Sequence, residues 1–209
     1  MADIDLTSQH EARSGSTSTD AAAEACPGSA RLPLSCERIV DAAVRFVDHD
    51  CLDALSMRRL GAELGVEAMS LYRYFPSKAA LLDAVVCRML SAVVLPDSGV
   101  SSDWERAVHA YARSFRAACA EHPRLLPLLA TMGGTNSTLA AIDREMVGLW
   151  RIAGFDAATA GQAQAALQGF VTGICLQVAS NQAEGAFTLG LHALIAGLRA
   201  RLTRMAAPA

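Results

Sequence analysis

The sequence predicts an all-α protein built from two small domains. Of its 209 residues, 52% are apolar but only 5% are aromatic, and alanine and leucine are frequent along the whole chain. Apolar residues recur three or four positions apart, as on one face of a helix, whereas the alternation of a half-buried strand is scarce. A chain of this length can bury a core and divide into two domains.

Residues 55–78, LSMRRLGAELGVEAMSLYRYFPSK, predict a short helix, a tight turn and a second short helix. Ser56 suits the N-cap of the first helix, because its hydroxyl can accept from free backbone N–H groups. Gly65 suits the left-handed residue that ends this helix, and Val66 is expected to pack inward. The buried stripe of the first helix would consist of Met57, Leu60 and Leu64.

The second helix is expected over residues 68–75, with Glu67 as its cap at the positive helix end and Leu71 and Phe75 facing the core. Short side chains at the helix start permit close approach to base edges, hydroxyls reach phosphates, and arginine addresses a phosphate or a guanine edge. The outward side chains are expected to be Ala68, Met69, Ser70, Tyr72, Arg73 and Tyr74. This layout predicts a helix-turn-helix that inserts its second helix into the major groove of double-stranded DNA.

The residues after the second helix predict a phosphate contact. Pro76 ends that helix, Ser77 caps the next one, and Lys78 lies in its first turn, where the helix N-terminus and the lysine both attract phosphate. Lys78 is the only lysine among 18 lysines and arginines, so compositional drift toward arginine is the alternative explanation. The net charge of −3 argues against general polyanion binding. We expect instead a dimer whose affinity for DNA depends on assembling two half-sites.

Residues 35–86 resemble the N-terminal domain of the TetR (tetracycline repressor) family of bacterial transcription regulators. The resemblance is carried by ERIVDAAVRFVDHD, LDALSMRRLGAELGV, EAMSLYRYFPSK and AALLDAVV. It implies that Arg73 reads a base, that tyrosines and Lys78 hold phosphates, and that short side chains lie against bases. Ala68 and Met69 have no hydrogen-bond donors and would contact thymine methyl groups. The expected DNA contacts are Ser56, Arg58, Ala68, Met69, Ser70, Tyr72, Arg73, Tyr74 and Lys78.

The expected domains are a disordered tail (residues 1–30), a DNA-binding domain (31–86) and a ligand-binding and dimerisation domain (87–209). The tail has no apolar periodicity, and it lacks the basic start and apolar run of a signal sequence. The cysteines form no CxxC pair and are expected to be reduced, small apolar residues of a cytoplasmic protein, with a redox-sensing pair as the alternative. They are Cys26, Cys36, Cys51, Cys87, Cys119 and Cys175.

The C-terminal part predicts helices over residues 81–95, 104–122, 123–130, 138–153, 157–181 and 186–205. Ser102 or Asp103 would cap the second of these helices and Asp156 the fifth, while Gly133 and Gly134 would form a flexible loop. The core positions of the second helix are expected to be Trp104, Val108, Tyr111, Phe115 and Cys119.

Residues 157–183 carry no charged side chain, which by length alone permits a membrane span. Their glutamines and Asn181 would need partners in lipid, so we expect a helix buried in a protein assembly and no membrane partner. One face is bulky: Ala163, Leu167, Phe170, Val171, Ile174 and Val178. A second strip recurs every four residues without bulk: Gly161, Ala165, Gly169 and Gly173.

The family resemblance implies that the last two long helices form a four-helix bundle between two subunits. We therefore expect the glycine strip to be the crossing surface of a homodimer, with close packing inside one subunit as the alternative. The resemblance also implies a C-terminal pocket for a small hydrophobic effector, whose binding moves the connecting helix. The candidate pocket residues, for each of which an ordinary core position is the favoured alternative, are Trp104, His109, Tyr111, Phe115, Trp150, Gln168, Phe170 and Thr172.

These patterns predict a ligand-responsive transcription regulator, a repressor that binds a palindromic operator as a homodimer and is released by a small molecule. A dimeric DNA-binding protein without an effector is the alternative. No nucleophile with a paired base, phosphate loop or carboxylate pair is evident, which argues against an enzyme with an incidental helix-turn-helix. We expect no cofactor and no metal, since His109 and His122 lie too far apart for a helical i, i+4 ligand pair.

Overall fold

The structure, a computed structural model, describes residues 33–95, 103–132, 136–177 and 183–206. Within these residues nine α-helices follow one another without a strand, which confirms the predicted all-α class. Residues 34–209 form one compact unit. The helices are α1 (Cys36–His49), α2 (Met57–Leu64), α3 (Ala68–Tyr72), α4 (Lys78–Met89), α5 (Trp104–Glu121), α6 (Leu126–Met132), α7 (Ser137–Ile152), α8 (Ala157–Leu176) and α9 (Ala183–Ala206).

The predicted tail, the Gly133–Gly134 loop, Cys26, Ser102 and Val178 lie outside the described residues. The domain boundary that the sequence predicts after residue 86 falls inside α4, which continues to Met89.

Local capping forms the helix-turn-helix as predicted. The Ser56 hydroxyl accepts from the backbone N–H of Arg59 at 3.2 Å, and Gly65 ends α2 with a φ of 69°. The Ser77 hydroxyl accepts from the backbone N–H of Ala80 at 3.1 Å and begins α4. These three predictions are confirmed.

Two details of α3 were predicted wrongly. The helix ends at Tyr72 rather than residue 75, because the residue before Pro76 is disfavoured in helical geometry. Instead, the backbone N–H groups of Tyr74 and Phe75 both donate to the Leu71 carbonyl. Glu67 occupies the N-cap position but its side chain makes no capping hydrogen bond, as its longer chain is poorly suited to that role.

The connecting helix is shorter than expected. After Met89 the chain forms a single 3-10 turn, Leu90–Ala92, and Val93 is extended. The backbone N–H of Val94 donates to the Ser114 hydroxyl on α5 at 2.8 Å. This side-chain acceptor replaces the carbonyl that a continued helix would supply, which explains the early end.

The remaining helices agree with the prediction to within a few residues, except that α8 ends at Leu176 rather than near residue 181. Asp103 and Asp156 cap α5 and α8 as expected. Asn136 caps α7 through its side-chain oxygen, and a 3-10 turn at Pro123–Leu125 precedes α6.

The three long C-terminal helices are held by paired contacts. Tyr111 meets Gln168, and two turns further along both helices Cys119 meets Cys175, so α5 and α8 run in the same direction. The helix α9 runs in the opposite direction to α5, because Arg116 pairs with Glu184 and Glu105 pairs with Arg199. A continuous cluster of buried apolar residues joins these helices to the N-terminal ones.

The five described cysteines are free thiols. Cys119 and Cys175 are buried in the core, as expected, whereas Cys36, Cys51 and Cys87 are exposed. The exposed three lie at the start of α1 (Cys36), on α4 (Cys87) and in the segment between α1 and α2 (Cys51).

No single helix among the described residues is both long and apolar enough to cross a membrane. One bent pair, Pro123–Met132 with Ser137–Ile152, meets that test, by length and composition only.

Candidate nucleic-acid interface

The crossing of α2 and α3 depends on a glycine that the sequence analysis did not single out. A Cβ at Gly61 would lie 2.8 Å from the Val66 carbonyl oxygen and 3.3 Å from the Ala68 backbone nitrogen. The Gly61 carbonyl accepts from the Val66 N–H at 2.8 Å, so the turn folds directly onto the helix. The sequence signal was a glycine inside the predicted helix stripe, which often marks a close backbone approach.

The outer surface of α3 and its flanks carries most of the predicted DNA-contact residues. The Met69 side chain is 70% exposed and the Tyr72 side chain 42% exposed. Ala68 and Ser70 are half-buried at the start of α3, and Ser56 is half-buried at the N-cap of α2. Thus the structure brings these predicted residues to one local surface.

Three cations on this surface have no charged partner. In the described part of the chain no ion pair involves Arg58, Arg73 or Lys78, and all three are exposed. Arg59 differs, since its guanidinium donates to the Ala54 carbonyl at 3.1 Å and lies 3.4 Å from the Asp50 carboxylate. The three unpaired cations are therefore available to phosphate oxygens, whereas Arg59 is already engaged within the protein.

Tyr74 is less available than the sequence indicated. Its hydroxyl donates to the Leu34 backbone carbonyl at 2.8 Å. A phosphate oxygen is an acceptor, and a tyrosine has only one proton to donate. Tyr74 can therefore donate to a phosphate only by giving up Leu34.

The predicted pocket residues of the C-terminal part lie mainly in its core. Trp104, Tyr111, Phe115 and Trp150 are buried, and the rings of Trp104 and Trp150 have centroids 5.4 Å apart. Phe155 lies against both tryptophans, and Phe187 stacks on Phe170 at 6.1 Å. Neither phenylalanine was singled out from the sequence; the contacts of Phe155 with Trp104 and of Phe187 with Phe170 depend on how separate helices are placed.

Two polar bridges cross this aromatic core. The Tyr111 hydroxyl donates to Gln168 at 2.5 Å, and Gln168 donates to the Thr172 hydroxyl at 3.3 Å. Burial, the main cause, raises the pKa of Tyr111 well above its ordinary value, so its hydroxyl stays protonated. Gln164, which the sequence analysis missed, accepts from the Trp150 indole at 3.4 Å and donates to Asp143 at 2.8 Å.

His109 lies at the edge of the core against His192 of α9, with ring centroids 5.3 Å apart. Its Nδ1 atom is buried and has no hydrogen-bond partner in the structure. Burial, and then the neighbouring His192 and Arg113, lowers the pKa of His109. The neutral imidazole is therefore the favoured form of this side chain in the folded protein.

Cys119 and Cys175 interact across α5 and α8. Contact with Cys175 and burial raise the pKa of the Cys119 thiol, whereas contact with Cys119 lowers that of Cys175. Among the described cysteines, this pair therefore corresponds to the redox-sensing pair that the sequence left open as an alternative.

The glycine strip of α8 does not pack inside the chain. A Cβ at Gly161, Gly169 or Gly173 would meet no described atom within 4 Å, and Ala165 is exposed. The close helix approach within the chain occurs instead at Gly190 of α9, where a Cβ would overlap the Phe170 ring. The described residues therefore show no close packing of the strip inside one chain.

Two family models match the chain. "Bacterial regulatory proteins, tetR family" matches residues 39–85, and "Tetracyclin repressor-like, C-terminal domain" matches residues 95–185. The HTH-type transcriptional repressor DrrR1 of Streptomyces coeruleorubidus is 43% identical over 93 residues, or 44% of this chain and 34% of that protein. The match thus spans about a third of that relative's length.

Solved structures match over more of the chain. ActR of Streptomyces coelicolor, in complex with actinorhodin, is 26% identical with a TM-score of 0.72 over 82% of this chain and 99% of that chain. BioQ with its double-stranded DNA operator is 27% identical with a TM-score of 0.68 over 80% of this chain and 99% of that chain. Family models at both ends, together with matching folds, establish the assignment: the chain belongs to the TetR family of bacterial regulatory proteins.

Proposed function

We propose that this chain is a cytoplasmic transcriptional repressor that binds a palindromic operator as a homodimer. In this proposal the surface of α2, α3 and the start of α4 contacts DNA. A small hydrophobic effector that binds in the C-terminal part releases the protein from the operator. The protein performs no catalytic step. The observation that carries the proposal is the set of exposed, unpaired cations Arg58, Arg73 and Lys78 around an exposed α3.

The DNA-binding role follows from the chemistry of this surface. Lys78 begins α4, so its ammonium and the free N–H groups of the helix end can bind the same phosphate. Tyr72 can donate to a phosphate, and Arg73 can reach a phosphate or a guanine edge. The relative BioQ, solved with its operator, and the repressor DrrR1 support this role.

The homodimer is supported by apolar surface on α8 and α9 that the described residues leave uncovered. On α8 a Cβ at Gly161, Gly169 or Gly173 would meet no described atom within 4 Å, Ala165 is exposed, and on α9 Leu189 is 73% exposed. Small residues allow another helix to approach closely, and contiguous exposed apolar surface marks an interaction site. We assign a second copy of the chain as the partner, in a four-helix bundle of α8 and α9.

The effector site is proposed around the aromatic core of α5, α7 and α8. The bridge from Tyr111 through Gln168 to Thr172 supplies donors and acceptors, and the Tyr111 ring lies against Phe115. Polar groups among aromatic side chains are the combination typical of small-molecule sites. ActR, solved with actinorhodin, supports an effector of this general kind.

A second candidate is a dimeric DNA-binding protein without an effector. It is favoured by the close packing of the predicted pocket residues, since Tyr111, Phe115 and Trp150 are fully buried and in contact with protein atoms. A thermal-shift screen of small aromatic compounds separates the two. A compound that stabilises the protein and also releases it from DNA supports the first candidate. A screen in which no compound stabilises the protein, while the protein still binds DNA, supports the second.

Selection of binding sites from random duplex DNA tests the proposed function. We expect two inverted half-sites with a fixed spacing, bound by one dimer. The variant Arg73→Ala should select the same repeat but lose its preference at one base position in each half-site, by about 1–3 kcal/mol. Failure of the wild-type protein to enrich any repeat would overturn the proposal.

A further inference from the structure

The C-terminal end of α1 is held by two side chains that follow α5. The Arg124 guanidinium donates to the backbone carbonyls of His49 and Asp50 at 2.6 and 2.5 Å. His122 Nδ1 lies 2.9 Å from the Asp48 carboxylate. The last carbonyls of a helix have no partner within it and carry partial negative charge, so a guanidinium is well suited to this position.

The same corner is held from the side of the helix-turn-helix. Arg59 of α2 pairs with the Asp50 carboxylate and the Ala54 carbonyl, and its guanidinium lies 4.8 Å from the centre of the Phe46 ring. Arg59 and Arg124 therefore bind neighbouring groups of one residue, Asp50. The segment after α5 and the DNA-contacting pair of helices meet at this residue.

Apolar side chains pack at this junction, and open clefts lie beside it. A cleft of about 440 Å³ extends from the middle of α1 to the end of α5, where Glu121 and His122 border it. A second cleft, of about 430 Å³, lies farther from the corner, between the first turns of α1 and the last turns of α4. A further polar contact joins α7 to α4, where the Asn136 amide donates to the Asp83 carboxylate at 2.9 Å. Beside the buried apolar cluster that joins these helices, the polar contacts of Arg124, His122 and Asn136 fix the angle between the N-terminal helices and α5.

We propose that Arg124, assisted by His122, is a positioning residue that sets the half-site spacing of the operator. This inference rests on the proposed function. A helix-turn-helix dimer reads half-sites about 34 Å apart, and the separation follows from how each reading unit is oriented on the dimer. Arg124 fixes that orientation without touching DNA, because it anchors the end of α1 to the segment between α5 and α6.

The test compares Arg124→Met with wild type by selection from random duplex DNA. Methionine keeps much of the apolar stem of arginine but none of its donors. We expect the variant to select the same half-site sequence with a broader distribution of spacings. The preference for the best spacing over one a base pair longer should fall about tenfold, as expected when charge-assisted hydrogen bonds to one orientation are lost.

Arg106→Met is the matched control. Arg106 is exposed on α5 and pairs only with Asp103 among the described residues. The spacing preference of the Arg106→Met variant should therefore equal that of wild type. Equal broadening in both variants, or an unchanged preference in Arg124→Met, overturns the inference while the selected repeat upholds the proposed function. Absence of any repeat with wild-type protein overturns the proposed function itself.

A second variant covers the case in which Arg124→Met unfolds. Arg124→Lys keeps the charge but cannot present the planar fork to two carbonyls. We expect it to fold and to show a smaller loss of spacing preference, with the half-site sequence unchanged. If Arg124→Met does not fold and Arg124→Lys keeps the wild-type spacing preference, a positioning role is contradicted. Arg124 then has only a structural role.

Discussion

The Tyr74 hydroxyl and the Leu34 carbonyl form a hydrogen bond of 2.8 Å between residues forty positions apart. It fastens the segment after α3 to the chain that enters α1. Tyr72, two residues earlier, has no hydrogen-bond partner within the described residues and is exposed. Two tyrosines that are equivalent in the sequence pattern are therefore unequal in the structure.

Replacing each tyrosine by phenylalanine separates DNA binding from stability. Tyr72→Phe should weaken binding to all duplex sequences to a similar extent, because a phosphate contact is lost, and should leave the free energy of unfolding unchanged. Tyr74→Phe should lower the free energy of unfolding by about 1 kcal/mol through loss of one hydrogen bond. It should weaken DNA binding less than Tyr72→Phe does. Gel shifts at moderate salt and urea unfolding measure both; equal losses of DNA affinity would contradict the distinction.

The sequence predicted the features that depend on neighbouring residues. Ser56, Gly65 and Ser77 act as the capping rules require, and the stripes of α2 and α5 lie in the core because helical periodicity is a local property. The features that it missed join distant segments. The Tyr74–Leu34 bond, the Asn136–Asp83 contact and the Phe170–Phe187 stack depend on how helices are placed in space, which spacing along the chain does not encode.

The tight α2–α3 crossing predicts a strong effect of one added methyl group. Gly61→Ala should lower the free energy of unfolding by about 1–3 kcal/mol, since the new Cβ would meet backbone atoms of the turn that cannot move independently. DNA binding should fall as well, because α3 would shift. Gly148→Ala on α7 is the control: its Cβ meets no described atom within 4 Å, so removing a helix glycine should stabilise the protein by about 0.5–1 kcal/mol. Thermal unfolding of both variants gives the comparison, and a neutral Gly61→Ala would show that the crossing is loose.

The open strip on α8 predicts the oligomeric state of a bulky variant. Gly169→Leu should convert the proposed dimer to monomer in sedimentation velocity, because a large side chain would separate the helices that we propose to cross there. Its folded monomer should keep a normal helix content, since Gly169 is exposed and a Cβ there would meet no described atom of the same chain within 4 Å. Gly148→Leu, at an equally open position on α7, should remain dimeric. A dimeric Gly169→Leu protein would place the interface elsewhere.

His109 predicts a loss of stability in mild acid. Its pKa in the folded protein lies below the ordinary value of 6.5, first through burial and then through His192 and Arg113, against the opposing charges of Glu105 and Asp103. Between the lowered pKa and 6.5 the unfolded chain binds more protons than the folded one, so stability falls as the pH drops through this window. The stability that neutral His109 contributes is therefore fully present above pH 6.5.

Replacing this imidazole should therefore flatten the pH dependence of melting. His109→Phe keeps a ring against His192 but cannot titrate, so its melting temperature should fall less than that of wild type between pH 7 and pH 5. His49→Gln is the matched control, because the His49 side chain is exposed at the end of α1 and the variant should keep the wild-type slope. Calorimetry at a series of pH values measures the slopes. If His109→Phe loses as much stability in acid as wild type, then protonation elsewhere governs the acid response, and the buried Nδ1 of His109 has no part in it.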